Sequence, residues 1–162
     1  MGVDDELGAS GEATVLAEVA EPQESVAHFP LESHLRDFLA NNLDTVERGL
    51  HLYRDENGRE GVEYPTDVGP IDALAKASDG SFVIFELKLS HGPDRALGQL
   101  LRYMGWVKER LCKDDAAVRG VIVAHQIDEA LKYAASVAPS VTLLEYEVSF
   151  KVKPVELTRN DK

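Results

Sequence analysis

The chain has 162 residues, 44% apolar and 28% charged, which suits one domain with its own core and is too short for two comfortable ones. One cysteine, Cys112, rules out an internal disulfide, and five scattered histidines with no H-x-x-x-H pair argue against a structural zinc module. A formal net charge of −12 is the wrong sign for tight, non-specific duplex binding, which calls for a basic footprint.

That charge is unevenly placed. The first 26 residues carry seven acids and no Lys or Arg, and the remainder holds 22 acids against 17 bases. Rich in Ala, Gly and Glu and without a clear period, residues 1–26 read as an acidic flexible N-terminal tail ahead of a single domain over 27–162. At most a short helix around Thr14 to Glu21 fits within the tail. Acids stand where a signal peptide needs Lys or Arg. No run approaches the ~18 apolar residues of a membrane span. The expectation is a cytoplasmic protein with no membrane partner.

Pro30 suits the first turn of a helix, and Leu31, Leu35, Phe38 and Leu39 recur on one face, continuing to Leu43. Glu32 flanks that face and can point inward at its edge. The competing reading for Glu32 is an ordinary first-turn acid favoured by the helix dipole. After Gly49 the pattern turns extended, with GLHLYRD and GVEYPTD joined through Asn57-Gly58, two positions that tolerate φ > 0. VGPIDALAKA forms another strand, and Ser78-Asp79-Gly80 separates it from Phe82–Leu89. That nearly continuous apolar run suits the middle of a sheet. Pro93 opens a long helix ending near Leu111. Its apolar stripe is Ala96, Leu97, Leu100, Leu101, Met104 and Val107, with Arg95, Gln99, Arg102, Tyr103 and Trp106 along a flanking edge. A strand over Arg119–Ala124, a helix over Asp128–Ala138 and strands over Val141–Tyr146 and Val148–Val155 complete the chain. This order gives an α/β fold with a central mixed β-sheet flanked by helices, not a doubly wound nucleotide-binding fold. No G-x-G-x-x-G or P-loop occurs.

The chemistry concentrates between Gly69 and Trp106. Glu86 and Lys88, two apart on one strand, leave the same face of it. In so apolar a strand they need partners, because unpaired buried charge is costly. Asp72, on the preceding strand, can reach Glu86 across the sheet. Two carboxylates so close repel unless a divalent cation sits between them, and hard oxygen ligands suit Mg²⁺ or Mn²⁺. Such an ion lowers the pKa of a bound water and neutralises a scissile phosphate. Lys88 then orients that water and offsets charge on the phosphorus, while Glu32 adds a ligand or anchors a water. Gln99 and Tyr103, one helical turn apart, hydrogen-bond to Lys88, the water or the phosphate. The bland alternatives are a structural salt bridge for Asp72, Glu86 and Lys88, and a solvated face for Arg95 and Arg102, which otherwise contact DNA phosphates.

The run GPIDALA…VIFELKLSHGPDRALGQLLRYMGWV resembles the catalytic domain of NucS/EndoMS-type endonucleases, members of the PD-(D/E)xK, restriction-endonuclease-like superfamily. The resemblance covers roughly residues 30–125, and its specific part is ELK together with QLLRYMGWV. It implies a restriction-endonuclease-like core, a Mg²⁺- or Mn²⁺-dependent DNA endonuclease active in DNA repair, and Asp72, Glu86 and Lys88 as the catalytic triad. Glu32 matches the acid of the first helix, and Gln99 and Tyr103 match the Q-x-x-x-Y that follows. Two departures stand out: Pro70 takes the place of a basic residue after the motif glycine, and Leu89 that of the Arg or Lys after ELK. Only the acidic tail stands where the family has a DNA-binding and dimerisation domain. Mismatch recognition by a clamping dimer is therefore not carried over to this chain. A homodimer is one expected partner, and a nuclease-fold binding module that has lost activity is the alternative to an enzyme.

Overall fold

The computed structural model of the chain describes residues 25–88, 93–149 and 151–156. The tail's first 24 residues, and the short helix expected there, lie outside them. Helix α1 spans Ser25–Asn41 and α2 Leu43–Val46. Strands β1 (His51–Leu52), β2 (Val62–Tyr64), β3 (Ile71–Lys76) and β4 (Phe82–Lys88) follow, then helix α3 (Pro93–Arg110), β5 (Val118–Ala124), α4 (Glu129–Ser136) and β6 (Val141–Glu145).

The strands form one mixed sheet in the order β1-β3-β4-β5-β6, with β2 also pairing β3. The β3–β4 pair is antiparallel, and β4–β5 and β5–β6 are parallel. A parallel pair needs a crossover, which α3 supplies between β4 and β5. Strand alternation then splits the core in two. Leu74, Phe82, Ile84 and Ile122 pack on one face with Ala96, Leu100, Tyr103 and Val107 of α3 and Leu131 of α4. Ala73, Ala75, Val83, Phe85, Leu87, Val121 and Val123 pack on the other with Leu39 and Leu43. The result is a sheet flanked by helices on both sides, as expected. No described helix is long and apolar enough to cross a membrane.

The turn chemistry is partly as read. Gly58 has φ 81° and Asn57 does not join it in the left-handed region. The Asp55 carboxylate accepts from the amides of Asn57 and Arg59 at 2.9 Å each, which closes the turn through an Asx-type geometry. The flanking segments form no named strand pair: they meet at an Arg54–Glu60 bridge and through backbone bonds from Asp55 to Arg59 and from Gly61 to Tyr53, while β1 and β2 both pair with β3. Asp128 caps α4, accepting from the Leu131 amide at 2.8 Å. A two-point ion pair from Arg119 to Glu47, both contacts 2.8 Å, ties the start of β5 to the end of α2.

Three expectations fail. Val148–Val155 forms no strand among the described residues: 148, 149 and 151–156 are irregular, and Val148, Val152 and Val155 are exposed. Its alternation finds no pairing partner among the described residues, and β6 stays the edge strand on that side. Leu101 is exposed, and Tyr103 takes its place in the α3 stripe. Leu31 and Phe38 are also exposed, Phe38 at 65%. The inward face of α1 is Glu32, Leu35, Arg36 and Leu39, an i, i+3, i+4, i+7 set rotated about a quarter turn from the apolar one. That rotation carries two charged side chains toward the sheet.

Gly61 is a point of close backbone approach: a Cβ there would lie 2.0 Å from the Leu74 carbonyl oxygen. The Gly61 amide and carbonyl bond Tyr53 and Leu74 at 2.8 and 2.6 Å. Gly61→Ala is expected to lower stability by about 2 kcal/mol or more, since only backbone can yield. Urea denaturation measures it, and an unchanged midpoint would refute the close approach.

Candidate active site

The β3–β4 register pairs Ala73 with Phe85 and Leu74 with Ile84, so its next step sets Asp72 against Glu86. There the ladder gives way to a side chain: the Asp72 carboxylate Oδ2 accepts from the Leu87 amide at 2.8 Å. On its other side Asp72 lies opposite Glu63, bracketed by the pairs Val62–Ala73 and Tyr64–Ile71. Three acids thus cross the sheet in a row on β2, β3 and β4.

Glu86 is 3% exposed, and its Oε2 has no hydrogen-bond partner among the described residues. Burial, reinforced by the Asp72 charge, pushes its carboxyl up to about 8, against the opposing pull of Lys88 and Arg102. Glu32 of α1 adds to the same negative field. The Asp72 carboxyl is also raised, chiefly by burial, while the Leu87 amide and Arg36 hold it down and Glu32 and Glu63 push it up. The structure therefore brings Asp72, Glu86, Lys88, Glu32 and Arg102 within electrostatic reach of one another. Lys88 is half-buried at the end of β4.

Gln99 donates from Nε2 to the Tyr103 hydroxyl at 3.0 Å. Tyr103 is only 1% exposed, and a Cβ on Gly69 (φ 117°) would stand 3.0 Å from its hydroxyl. Its ring is thus wedged between α3 and the loop that leads into Asp72, a supporting place more than an open one. Arg95, Gly98, Gln99 and Arg102 line an open depression of about 410 Å³ beside it. Arg95 and Arg102 are exposed. Trp106 donates to Asp67 at 3.2 Å and packs near Tyr64, a structural role. His34 is exposed, and His91 lies outside the described residues.

Two residues escaped the sequence reading. Arg36, with a side chain 13% exposed, places its guanidinium 3.9 Å from Asp72 and 3.2 Å from Glu63. Its position four residues after Glu32 on one helix face was the available signal. Glu63 holds φ 45°, a left-handed backbone that no sequence pattern announces.

Among the described residues no three His, Cys, Asp or Glu side chains converge into a ready metal cage. The donor set nevertheless fits a hard divalent cation. Mg²⁺ keeps several waters and needs only one or two carboxylates, and the orphaned Glu86 oxygen beside Asp72 supplies a free hard ligand.

The sequence matches the family of endonuclease NucS C-terminal domains over residues 31–147. Endonuclease NucS of Corynebacterium glutamicum strain R is 34% identical over 131 residues, 79% of this chain and 52% of that protein. Endonuclease NucS of Corynebacterium aurimucosum is 38% identical over 99 residues, 60% of this chain and 38% of that protein. The chain thus spans about half or less of the curated relatives it matches. Among solved structures, a repair endonuclease from Pyrococcus abyssi superposes with a TM-score of 0.57 at 26% identity, covering 72% of this chain and 46% of that one. An EndoMS–dsDNA complex gives 0.57 at 21% identity, covering 74% and 46%, a likeness that bears on the fold alone. Sheet, flanking helices and sequence agree: this chain belongs to the endonuclease NucS C-terminal domain family.

Proposed function

We propose that this chain carries the phosphodiester-cleaving chemistry of a divalent-metal-dependent DNA endonuclease, with Asp72, Glu86 and Lys88 at its centre. One observation carries the reading most: a buried carboxyl, Glu86, with an oxygen that no described residue satisfies, set beside a second, half-buried carboxylate, Asp72. Unpaired, such a pair is costly. A Mg²⁺ or Mn²⁺ ion held by Asp72 and Glu86, with Glu32 anchoring a water, would acidify a bound water and screen the phosphate charge.

Around it each side chain has a task. Lys88, on the same strand face as Glu86, orients the attacking water and offsets charge growing on the phosphate. Gln99, anchored on the buried Tyr103, presents its remaining polar atoms toward the depression it lines with Arg95 and Arg102. Those arginines supply phosphate contacts on a chain whose net charge is acidic. The relatives named endonuclease NucS and the repair endonuclease from Pyrococcus abyssi support DNA as the substrate.

The test is to incubate the chain with single-stranded, duplex, branched and mismatched DNA, with Mn²⁺ and with chelator. Cleavage should require Mn²⁺ and vanish in Asp72→Ala. Gln99→Ala should lower the single-turnover rate with little change in affinity. Arg95→Ala and Arg102→Ala should each flatten the salt dependence of binding by about one log–log unit. DNA binding without cleavage under every condition would favour an inactive binding module instead.

A further inference from the structure

Arg36 is a largely buried cation at the acid row, its side chain 13% exposed, and the catalytic reading leaves it without a task. Its two contacts are unequal. At 3.2 Å the guanidinium pairs with Glu63, whereas 3.9 Å to Asp72 Oδ1 is too long for a hydrogen bond. Its Nε is buried and finds no acceptor among the described residues. Glu63 keeps its place at the cost of a left-handed backbone, φ 45°, which a non-glycine residue holds only when its surroundings demand it. So the guanidinium is drawn toward an exposed carboxylate and held just short of a half-buried one. Asp72 has committed Oδ2 to the Leu87 amide, and among the described residues no hydrogen bond to Oδ1 is seen beside the Arg36 guanidinium at 3.9 Å.

We propose that Arg36 is a positioning residue that sets the affinity of the Asp72–Glu86 pair for a divalent cation, with Glu63 as the tether that keeps its charge off Asp72. The inference rests on the metal reading given above. Close by, the guanidinium offsets the mutual repulsion of Glu32, Asp72 and Glu86 and so lets the metal-free protein fold. Held at 3.9 Å, it leaves Oδ1 open to a ligand. The same charge opposes an incoming cation, so that affinity is set by how far Arg36 is held back.

Isothermal calorimetry with Mn²⁺ alone tests this on the full chain, alongside metal-free thermal unfolding. Arg36→Gln should bind Mn²⁺ about tenfold more tightly while lowering the metal-free Tm. Glu63→Gln, which frees the guanidinium to close on Asp72, should bind about tenfold more weakly. The double variant separates the tether from bare charge: Glu63→Gln should lose most of its effect once Arg36 is Gln. A purely structural arginine would lower the Tm and leave Mn²⁺ affinity unchanged, and that result overturns the inference. Should Arg36→Gln fail to fold, Glu63→Gln with wild-type affinity overturns it equally. Absence of Mn²⁺ binding by the unaltered chain overturns the metal reading and this inference together, whereas equal binding by all variants overturns this inference alone.

Discussion

Glu86→Gln is expected to abolish Mn²⁺-dependent cleavage, by about a thousandfold or more, and at the same time to stabilise the metal-free protein in mild alkali. The second half follows from linkage. The folded carboxyl titrates at about 8, far above the ordinary 4.5 it regains on unfolding. Between those values the native state binds the extra proton, so stability is full at low pH and declines as pH rises through the window. The decline amounts to several kcal/mol, because each unit of separation is worth about 1.4 kcal/mol. A glutamine is already neutral and escapes it. Melting curves in chelator from pH 5 to 9 should therefore slope downward for the wild type and run nearly flat for Glu86→Gln. Equal slopes would show that Glu86 is ionised in the native state without help, and the argument for a cation would fall.

Lys88→Ala separates a different role. Lys88 supplies no metal-ligand oxygen, so Mn²⁺ binding should survive its removal, while the single-turnover rate falls by about 10²–10⁴-fold, as for a positioned proton-handling group. Because its charge favours the ionised form of Glu86, its removal should push that carboxyl further up, so the metal-free protein loses stability at the same cost per pH unit but over a window extended upward. Rate and affinity falling by the same factor would mean that Lys88 merely holds Glu86 in place.

Much of the fold could be read from periodicity. β3, β4 and β5 are apolar runs bounded by turn residues, and α3 has a long amphipathic stripe, so burial and local pattern point the same way. Where they diverged, the reading went astray. The buried face of α1 includes Glu32 and Arg36 and leaves Phe38 in solvent, because that helix packs over an acid row as well as over aliphatic side chains. Averaging hydrophobicity around the wheel finds the wrong arc in such a case. Tyr103 was placed among polar neighbours by its hydroxyl, whereas its ring completes the core and only the hydroxyl faces Gln99. For the candidate site, Asp72, Glu86 and Lys88 were legible because charge in an apolar strand stands out. Arg36 and Glu63 were not, since one lies on an otherwise ordinary helix and the other owes its place to a backbone angle.

The β3–β4 pairing has a kinetic side. Asp72 and Glu86 are joined by a short local turn, so little loop-closure entropy opposes their meeting. Gln99 and Tyr103 arrive only with the parallel crossover through α3, and Arg36 only when α1 docks from far upstream in sequence. The carboxylates can therefore meet while water still surrounds them, and their desolvation is deferred until the helices close over the sheet. A divalent cation present at that late stage would act on the final docking of the helices more than on the first pairing of strands.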